Sequence, residues 1–282
     1  MLDSHQHFWR IDRGDYSWMG PHVAPLLRDF LPADLHGPMR RAGVTRTVVI
    51  QAAQTQAETD FLLALAASTD CVAGVVGWLD LDAPGFADTL ARYRGNPWLV
   101  GLRPMLQELD DDAWILRPRV LENLRLIAAS GLAFDVLSFP RHLPYVIEAL
   151  QHTPGLRAVI DHLSKPPIAA IAGLGAEHPD FRAWADCIDV VASLPGVHCK
   201  VSGMVTEASA DWALRDFRAY VDVVATAFGP ERLMFGSDWP VCTLAASYAE
   251  VHNIARSLLG HHFGPVEMEA VFEGNAARFY RV

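Results

Sequence analysis

The chain has 282 residues, of which 51% are hydrophobic and 20% are charged, and its formal net charge at pH 7 is −10. This composition supports a large buried core and excludes an intrinsically disordered chain. The negative charge balance, without a stripe of Lys or Arg, disfavours binding to nucleic acid or to an anionic membrane surface. The length suits one barrel domain that spans residues 1–282.

The cysteines and the first residues bear on the cellular compartment. The four cysteines show no Cys-x-x-Cys spacing, so free thiols in a reducing compartment are expected. The segment MLDSHQHFWR lacks the basic start and the apolar stretch of a secretion signal. No apolar run approaches membrane-spanning length. The sequence therefore predicts a cytoplasmic protein.

A pattern of helix, glycine and buried strand repeats along the chain. Glycine relieves the left-handed conformation at a helix end, and a continuous apolar run is typical of a strand buried on both faces. Eight strands are predicted: Leu2–His7, Arg46–Gln51, Val72–Leu79, Trp98–Arg103, Leu132–Leu137, Arg157–His162, Val197–Ser202 and Arg232–Ser237. Their alternation with helices predicts an α/β protein of the (β/α)8 TIM-barrel class. An open doubly wound sheet ranks second, because no Gly-rich phosphate loop follows any strand.

Two histidines and an aspartate stand at the ends of the first and last predicted strands. His5 and His7 are two residues apart on a strand, so both rings point to the same side. Asp238 follows the apolar strand, and Pro240 forbids its continuation. Because first and last strands are neighbours in a closed barrel, these three side chains would bind one divalent ion such as zinc. Surface histidines and an aspartate that caps the next helix are the alternative interpretations.

Two further groups with acid, base or cationic chemistry follow predicted strands. His162 ends the sixth strand, where neighbouring residues should point to opposite sides, so only one of Asp161 and His162 is expected to face the interior. We favour His162 as a catalytic group, with a buried structural histidine as the alternative. Arg103 follows the fourth strand and is either a partner in a structural ion pair or a cation for the substrate.

A polar and aromatic rim is predicted around these residues. Gln54, Asp135 and Lys165 lie at or just beyond strand ends, where they would hold the hydroxyl groups of a small ring. Trp9 and Trp239 stand near the same end and would stack on such a ring, although packing in the core is the alternative for both. A serine-hydrolase mechanism is not supported, because no Gly-x-Ser-x-Gly motif is present.

Five segments in order along the chain resemble the lactonase branch of the amidohydrolase superfamily: DSHQHFW, DHLSKP, KVSG, FGSDWP and GNAARFY. The first of them, followed by Tyr16 and Trp18, is most similar to sugar-acid lactonases, the L-fuconolactonases among them. The resemblance implies a TIM barrel with His5, His7, His162 and Asp238 at the family's site positions. The bridging residue and the second later histidine of binuclear members have no counterpart at the expected strands. One metal ion at most is therefore implied.

The resemblance also implies a reaction, the hydrolysis of a small-molecule sugar lactone to the open acid. Asp238 would take a proton from water, and a bound metal or the pair of His162 and Arg103 would stabilise the oxyanion. A zinc-like ion is expected to bind without being strictly required, since a lactone is an activated ester. A metal-dependent decarboxylase of an aromatic acid and a non-catalytic sugar-binding protein are the alternatives. The identity of the lactone and the oligomeric state stay open.

Overall fold

Eight short strands make up one parallel sheet, in which each strand pairs with the next along the chain. The structure, a computed structural model, describes residues 1–282. The strands are β1 Leu2–Gln6, β2 Arg46–Ile50, β3 Val72–Gly77, β4 Leu99–Leu102, β5 Ala133–Val136, β6 Arg157–Ile160, β7 His198–Val201 and β8 Leu233–Phe235. The predicted (β/α)8 class and all eight strands are confirmed. Each strand ends one or two residues before its predicted boundary.

The barrel closes between β1 and β8 through individual hydrogen bonds just beyond the strands. The Asp238 N–H donates to the His5 carbonyl oxygen at 2.8 Å, and the His7 N–H donates to the Trp239 carbonyl oxygen at 2.7 Å. The first and last segments of the sheet are therefore held side by side at its carboxyl end.

Helices connect the strands and cover the outside of the barrel. They are α1 Pro32–Arg41, α2 Gln56–Ala66, α3 Phe86–Tyr93, α4 Pro118–Ser130, α5 Leu143–Gln151, α6 Pro179–Ser193, α7 Leu214–Phe228, α8 Tyr248–Leu259, α9 Pro265–Glu269 and α10 Asn275–Tyr280. Helix α4 is followed by Gly131, whose φ of 76° is the left-handed conformation expected from the helix–glycine pattern. None of the helices combines the length and the apolar composition that a bilayer crossing requires.

Apolar side chains fill the layer between strands and helices and much of the barrel interior. The interior cluster consists of Leu2, Val48, Ile50, Val76, Val100, Ala133, Val159, Met234, Ala276, Phe279 and Tyr280. Its last three members come from α10, so the terminal helix contributes to the packing inside the sheet. Polar groups of the interior are correspondingly concentrated toward the carboxyl ends of the strands.

The segment between β1 and α1 lies over that end of the barrel. Its two ends are joined by an antiparallel bridge between Trp9 and Phe30. Trp18, in its middle, donates from Nε1 to the Ala52 carbonyl oxygen at 2.8 Å. These contacts place Trp18 in the wall of a cavity at the strand ends.

Candidate active site

A cavity of about 120 Å³ opens at the carboxyl ends of the strands, the end where barrels of this class carry their sites. Its volume limits the ligand to a small molecule. The wall consists of His7, Trp18, Ala52, Arg103, Met105, Gln107, Glu108, Leu137, His162, Lys165, Thr206, Asp238 and Val241. Five of the predicted site residues are therefore brought to one cavity: His7, Arg103, His162, Lys165 and Asp238.

Three electron-pair donors converge at the base of this cavity. His7 Nε2 lies 3.3 Å from His5 Nε2 and 3.3 Å from Asp238 Oδ1, and His5 Nε2 lies 3.7 Å from the same carboxylate oxygen. In a tetrahedral zinc site with ligand bonds of about 2.0–2.1 Å, the ligand atoms are separated by about 3.3–3.4 Å. The spacing of His5, His7 and Asp238 therefore fits one metal ion.

The hydrogen bonds of the two rings agree with this fit. His7 Nδ1 lies 2.8 Å from the Ile50 carbonyl oxygen, which can only accept, so Nδ1 carries the proton and Nε2 offers a lone pair. His5 Nδ1 lies 3.3 Å from Asp161 Oδ1, and in the tautomer that donates there its Nε2 is also free. Such partners on the remote ring nitrogen are typical of metal-binding histidines.

Local backbone geometry aims Asp238 at the histidines. The chain turns after β8, and Asp238 has a φ of 56°, a left-handed conformation that non-glycine residues rarely adopt. The preceding Gly236 passes so close to β1 that an added Cβ would lie 2.6 Å from the His5 Cβ. A side chain at position 236 would therefore push the two segments apart.

His162 reaches the cavity by a different path from the one predicted. Strand β6 ends at Ile160, and the four residues from His162 to Lys165 all have positive φ. The side-chain alternation of a strand therefore does not apply, and both Asp161 and His162 face the interior, which corrects the expectation that only one of them would. His162 Nδ1 lies 2.8 Å from the Ser202 hydroxyl, and its Nε2 lies 3.8 Å from Asp238 Oδ1.

Below the cavity, a buried network of charges surrounds Asp161. Lys200 Nζ lies 2.9 Å from Asp161 Oδ1, 2.5 Å from Asp135 Oδ2 and 3.2 Å from His5 Nδ1. Arg103 contacts the other oxygen of Asp161 at 3.2 Å. The side chains of Lys200, Asp135 and Asp161 are fully buried. Asp135 is therefore a partner in an ion pair, and its predicted contact with substrate hydroxyls is not what this position allows.

Burial sets the charge state of the imidazoles and the carboxylates. It lowers the pKa of His5 well below its ordinary value, and it lowers the pKa of His162 to about 4. Burial alone would raise the pKa of Asp238, but the neighbouring rings of His162, His7 and His5 outweigh it and lower that pKa. At neutral pH an ionised carboxylate therefore faces two neutral rings. His162 and Arg103 were expected to stabilise the oxyanion as a pair of cations. Because His162 is neutral, Arg103 alone remains for that role.

Three other residues predicted at the rim lie outside the cavity wall. Trp9 and Trp239 are buried and pack edge-to-face on Phe30, with ring centroids 5.3 and 5.4 Å from its ring. Both side chains therefore pack in the core, which was the alternative interpretation, and their contacts are with the segment between β1 and α1 rather than with the cavity. Gln54 reaches the wall indirectly, since its Nε2 donates to Glu108 Oε2 at 3.2 Å.

The sequence matches a known family over nearly its whole length. The sequence model of a family described as Amidohydrolase matches residues 2–282. The chain belongs to the amidohydrolase family. It is 41% identical to an L-fucono-1,5-lactonase from Burkholderia ambifaria, and the alignment covers 100% of this chain and 95% of the relative. An L-fucono-1,5-lactonase from Burkholderia multivorans is 39% identical, with 99% and 95% covered.

Solved amidohydrolase structures share the fold. A Burkholderia multivorans amidohydrolase with bound zinc is 38% identical, superposes with a TM-score of 0.93, and covers 100% of this chain and 99% of that one. A 2,6-dihydroxybenzoate decarboxylase from Rhizobium is 13% identical with a TM-score of 0.69, covers 99% of this chain and 98% of that one, and shares the fold alone. The decarboxylase alternative is therefore distant, whereas the lactonases are near.

Two groups of this amidohydrolase's site were missed by the sequence analysis. A buried ion pair at Lys200 could have been predicted, because a lysine within the apolar strand HCKV requires a buried counter-charge. Glu108 had none. It lies in the acidic run QELDDD, which is typical of a solvated loop, but the structure folds Leu106–Glu108 into a 3-10 turn in the cavity wall.

Proposed function

We propose that this amidohydrolase hydrolyses the lactone of a neutral sugar acid, such as L-fucono-1,5-lactone, to the open acid. The observation that carries the proposal is the Asp238 carboxylate at the base of a small polar cavity, within 3.8 Å of three imidazole nitrogens. Similarity over the full length to two L-fucono-1,5-lactonases supports the same substrate class. An ester bond opened by water needs such a base beside the attacked carbonyl.

In the proposed reaction Asp238 takes a proton from a water molecule as the water oxygen bonds to the lactone carbonyl carbon. Negative charge develops on the carbonyl oxygen, and in this proposal Arg103 stabilises it. Two observations support this role: Arg103 lines the cavity, and its Nε has no hydrogen-bond partner in the protein. One well-placed donor contributes about 3–4 kcal/mol to such a transition state. The bond from the carbonyl carbon to the ring oxygen then breaks, and Asp238 returns the proton to that oxygen.

We also propose that His5, His7 and Asp238 hold one zinc-like divalent ion. A bound ion would polarise the lactone carbonyl and lower the pKa of water. The ion is not strictly required in this proposal, because a lactone is an activated ester and Arg103 remains as a donor. The related amidohydrolase with bound zinc supports the proposal that the ion binds, and not the proposal that turnover proceeds without it.

Removal of the metal is expected to leave more than about a tenth of kcat, since a base and an oxyanion donor remain in the protein. The protein is stripped with a strong chelator, its metal content is measured by elemental analysis, and lactone hydrolysis is assayed. Activity that disappears and returns in proportion to added zinc contradicts dispensability. Absence of metal after growth in excess zinc, with no binding by calorimetry, contradicts the metal site.

A panel of substrates tests the proposed function. The enzyme is expected to release acid from neutral aldonolactones without loss of carbon, and with a higher kcat/KM than for 2-pyrone-4,6-dicarboxylate, because a dicarboxylate requires several free cations at the site. Acid release is followed with a pH indicator, and carbon dioxide is measured in parallel. Preference for the pyrone dicarboxylate contradicts the substrate class. Carbon dioxide from aromatic acids, or lactone binding without turnover, contradicts hydrolysis.

A further inference from the structure

The two cations in the cavity wall are already neutralised by carboxylates of the protein. Arg103 is paired with the buried Asp161 at 3.2 Å, and it also donates from Nη2 to the Gln51 carbonyl oxygen at 2.5 Å. Lys165 is paired with Glu207 at 3.3 Å. Among the protein's own groups, a ligand carboxylate would therefore find hydrogen-bond donors in this cavity but no uncompensated positive charge.

Two side-chain oxygens in the same cavity wall accept no hydrogen bond from the protein. Glu108 and Gln107 belong to the 3-10 turn after β4, and both line the cavity. Glu108 Oε2 accepts from Gln54, but Glu108 Oε1 and Gln107 Oε1 are buried and have no hydrogen-bond partner in the protein. A buried acceptor without a donor is costly, and a ligand that brings hydroxyl groups would satisfy it.

We propose that Glu108 is a specificity-determining residue of the proposed lactonase, which accepts a hydrogen bond from a ring hydroxyl and repels lactones that carry a carboxylate. The inference rests on the proposed function and narrows its substrate class to uncharged polyhydroxy lactones. A carboxylate of the ligand beside Glu108 would face a like charge in a cavity partly shielded from water, where such repulsion is stronger than in bulk solvent.

The test compares two substrates on the same protein preparations: an aldonolactone, and the monolactone of the corresponding sugar diacid, which differs by one carboxylate. Glu108→Gln keeps the shape of the side chain and removes its charge. The ratio of kcat/KM for the neutral substrate to that for the charged substrate is expected to fall about tenfold, because only the charged substrate meets the like-charge repulsion that the variant removes, whereas the ring hydroxyls are common to both substrates. Inactive protein cancels from this ratio, so partial misfolding does not produce the effect.

Gln107→Glu is the reverse variant. It adds a second carboxylate to the same turn, and it is expected to raise the ratio about tenfold. Where the charged lactone is turned over too slowly, its inhibition constant against the neutral lactone replaces kcat/KM. Ratios within about twofold of the unmodified enzyme in both variants overturn the role of Glu108 while leaving lactone hydrolysis intact. An unmodified enzyme that hydrolyses neither lactone overturns the proposed function and this inference together.

Discussion

Replacement of Asp238 by Asn is expected to lower kcat by about 10²–10⁴-fold while the barrel stays folded, because the amide cannot take the proton from water. Its shape is preserved, and the Asp238 N–H that closes the barrel on the His5 carbonyl belongs to the backbone. The loss should therefore appear in kcat with little change in the free energy of unfolding. Steady-state lactone hydrolysis and urea denaturation measure the two quantities.

Asp3→Asn is the matched control for Asp238→Asn. Asp3 is also buried, and its Oδ1 accepts from the backbone N–H groups of His5 and Ser237, so it supports the same two segments without lining the cavity. An asparagine oxygen can accept both bonds, and most of the activity should remain. Because Asp238 is also a proposed metal ligand, each comparison is repeated on stripped protein. An Asp238→Asn enzyme with more than about a tenth of the original kcat excludes the base role.

Replacement of Lys200 by Met is expected to cost about 3–5 kcal/mol of folding free energy, because it leaves the buried Asp135 without a cation and the buried Asp161 with Arg103 alone. The Lys200 ammonium contacts Asp135 and Asp161, and none of the three side chains is exposed. Lys165→Met is the matched control, since Lys165 pairs with Glu207 at 3.3 Å but both side chains are about a fifth exposed. The control should lose about 1 kcal/mol or less. Urea denaturation measures both.

The pH dependence distinguishes lost charge pairing from lost packing in the Lys200 variant. Burial raises the pKa of Asp135 to about 6 even with Lys200 beside it. A raised carboxyl pKa means that the folded state holds the proton more tightly than the unfolded state, so stability falls as pH rises from about 4 through the folded pKa. Without Lys200 that pKa rises further, and the deficit of the variant should be smaller at pH 5 than at pH 8. A deficit independent of pH would indicate lost packing instead.

The fold could be predicted from the sequence because each of its units has a local signal. About ten residues are enough to predict a buried strand that lies between a helix-ending glycine and a polar turn. A chain with eight such units can adopt only a few topologies. The strand ends were placed too late for a reason that is not local. Strand β6 stops at Ile160, and from His162 onward the residues adopt positive φ. His162 lies against Gly203, where an added Cβ would be 2.4 Å from His162 Nδ1.

Residues of the candidate site could be predicted where the residue spacing within one strand, or the end of one strand, indicates their position. His5 and His7 share a face by spacing alone, and Asp238 follows an apolar strand. The partners of Asp161 could not be predicted in the same way, because Lys200 and Arg103 reach it from β7 and from the end of β4. The lysine within β7 indicates a buried counter-charge, but neither distance along the chain nor residue type indicates which carboxylate supplies it. Their pairing follows from barrel geometry, in which side chains from several strands share one interior.

The closure of the barrel by its first and last strands has a consequence for synthesis. His7 and Asp238 are 231 residues apart in the chain, yet they face each other across 3.3 Å. At about 5–20 residues per second, the ribosome makes the histidines roughly 10–50 s before the carboxylate. During that interval the β1 edge has no β8 partner, and the growing chain contains the two histidines but not the proposed base, Asp238. The proposed site therefore cannot assemble before the segment after β8 has been synthesised, however early its histidines are made.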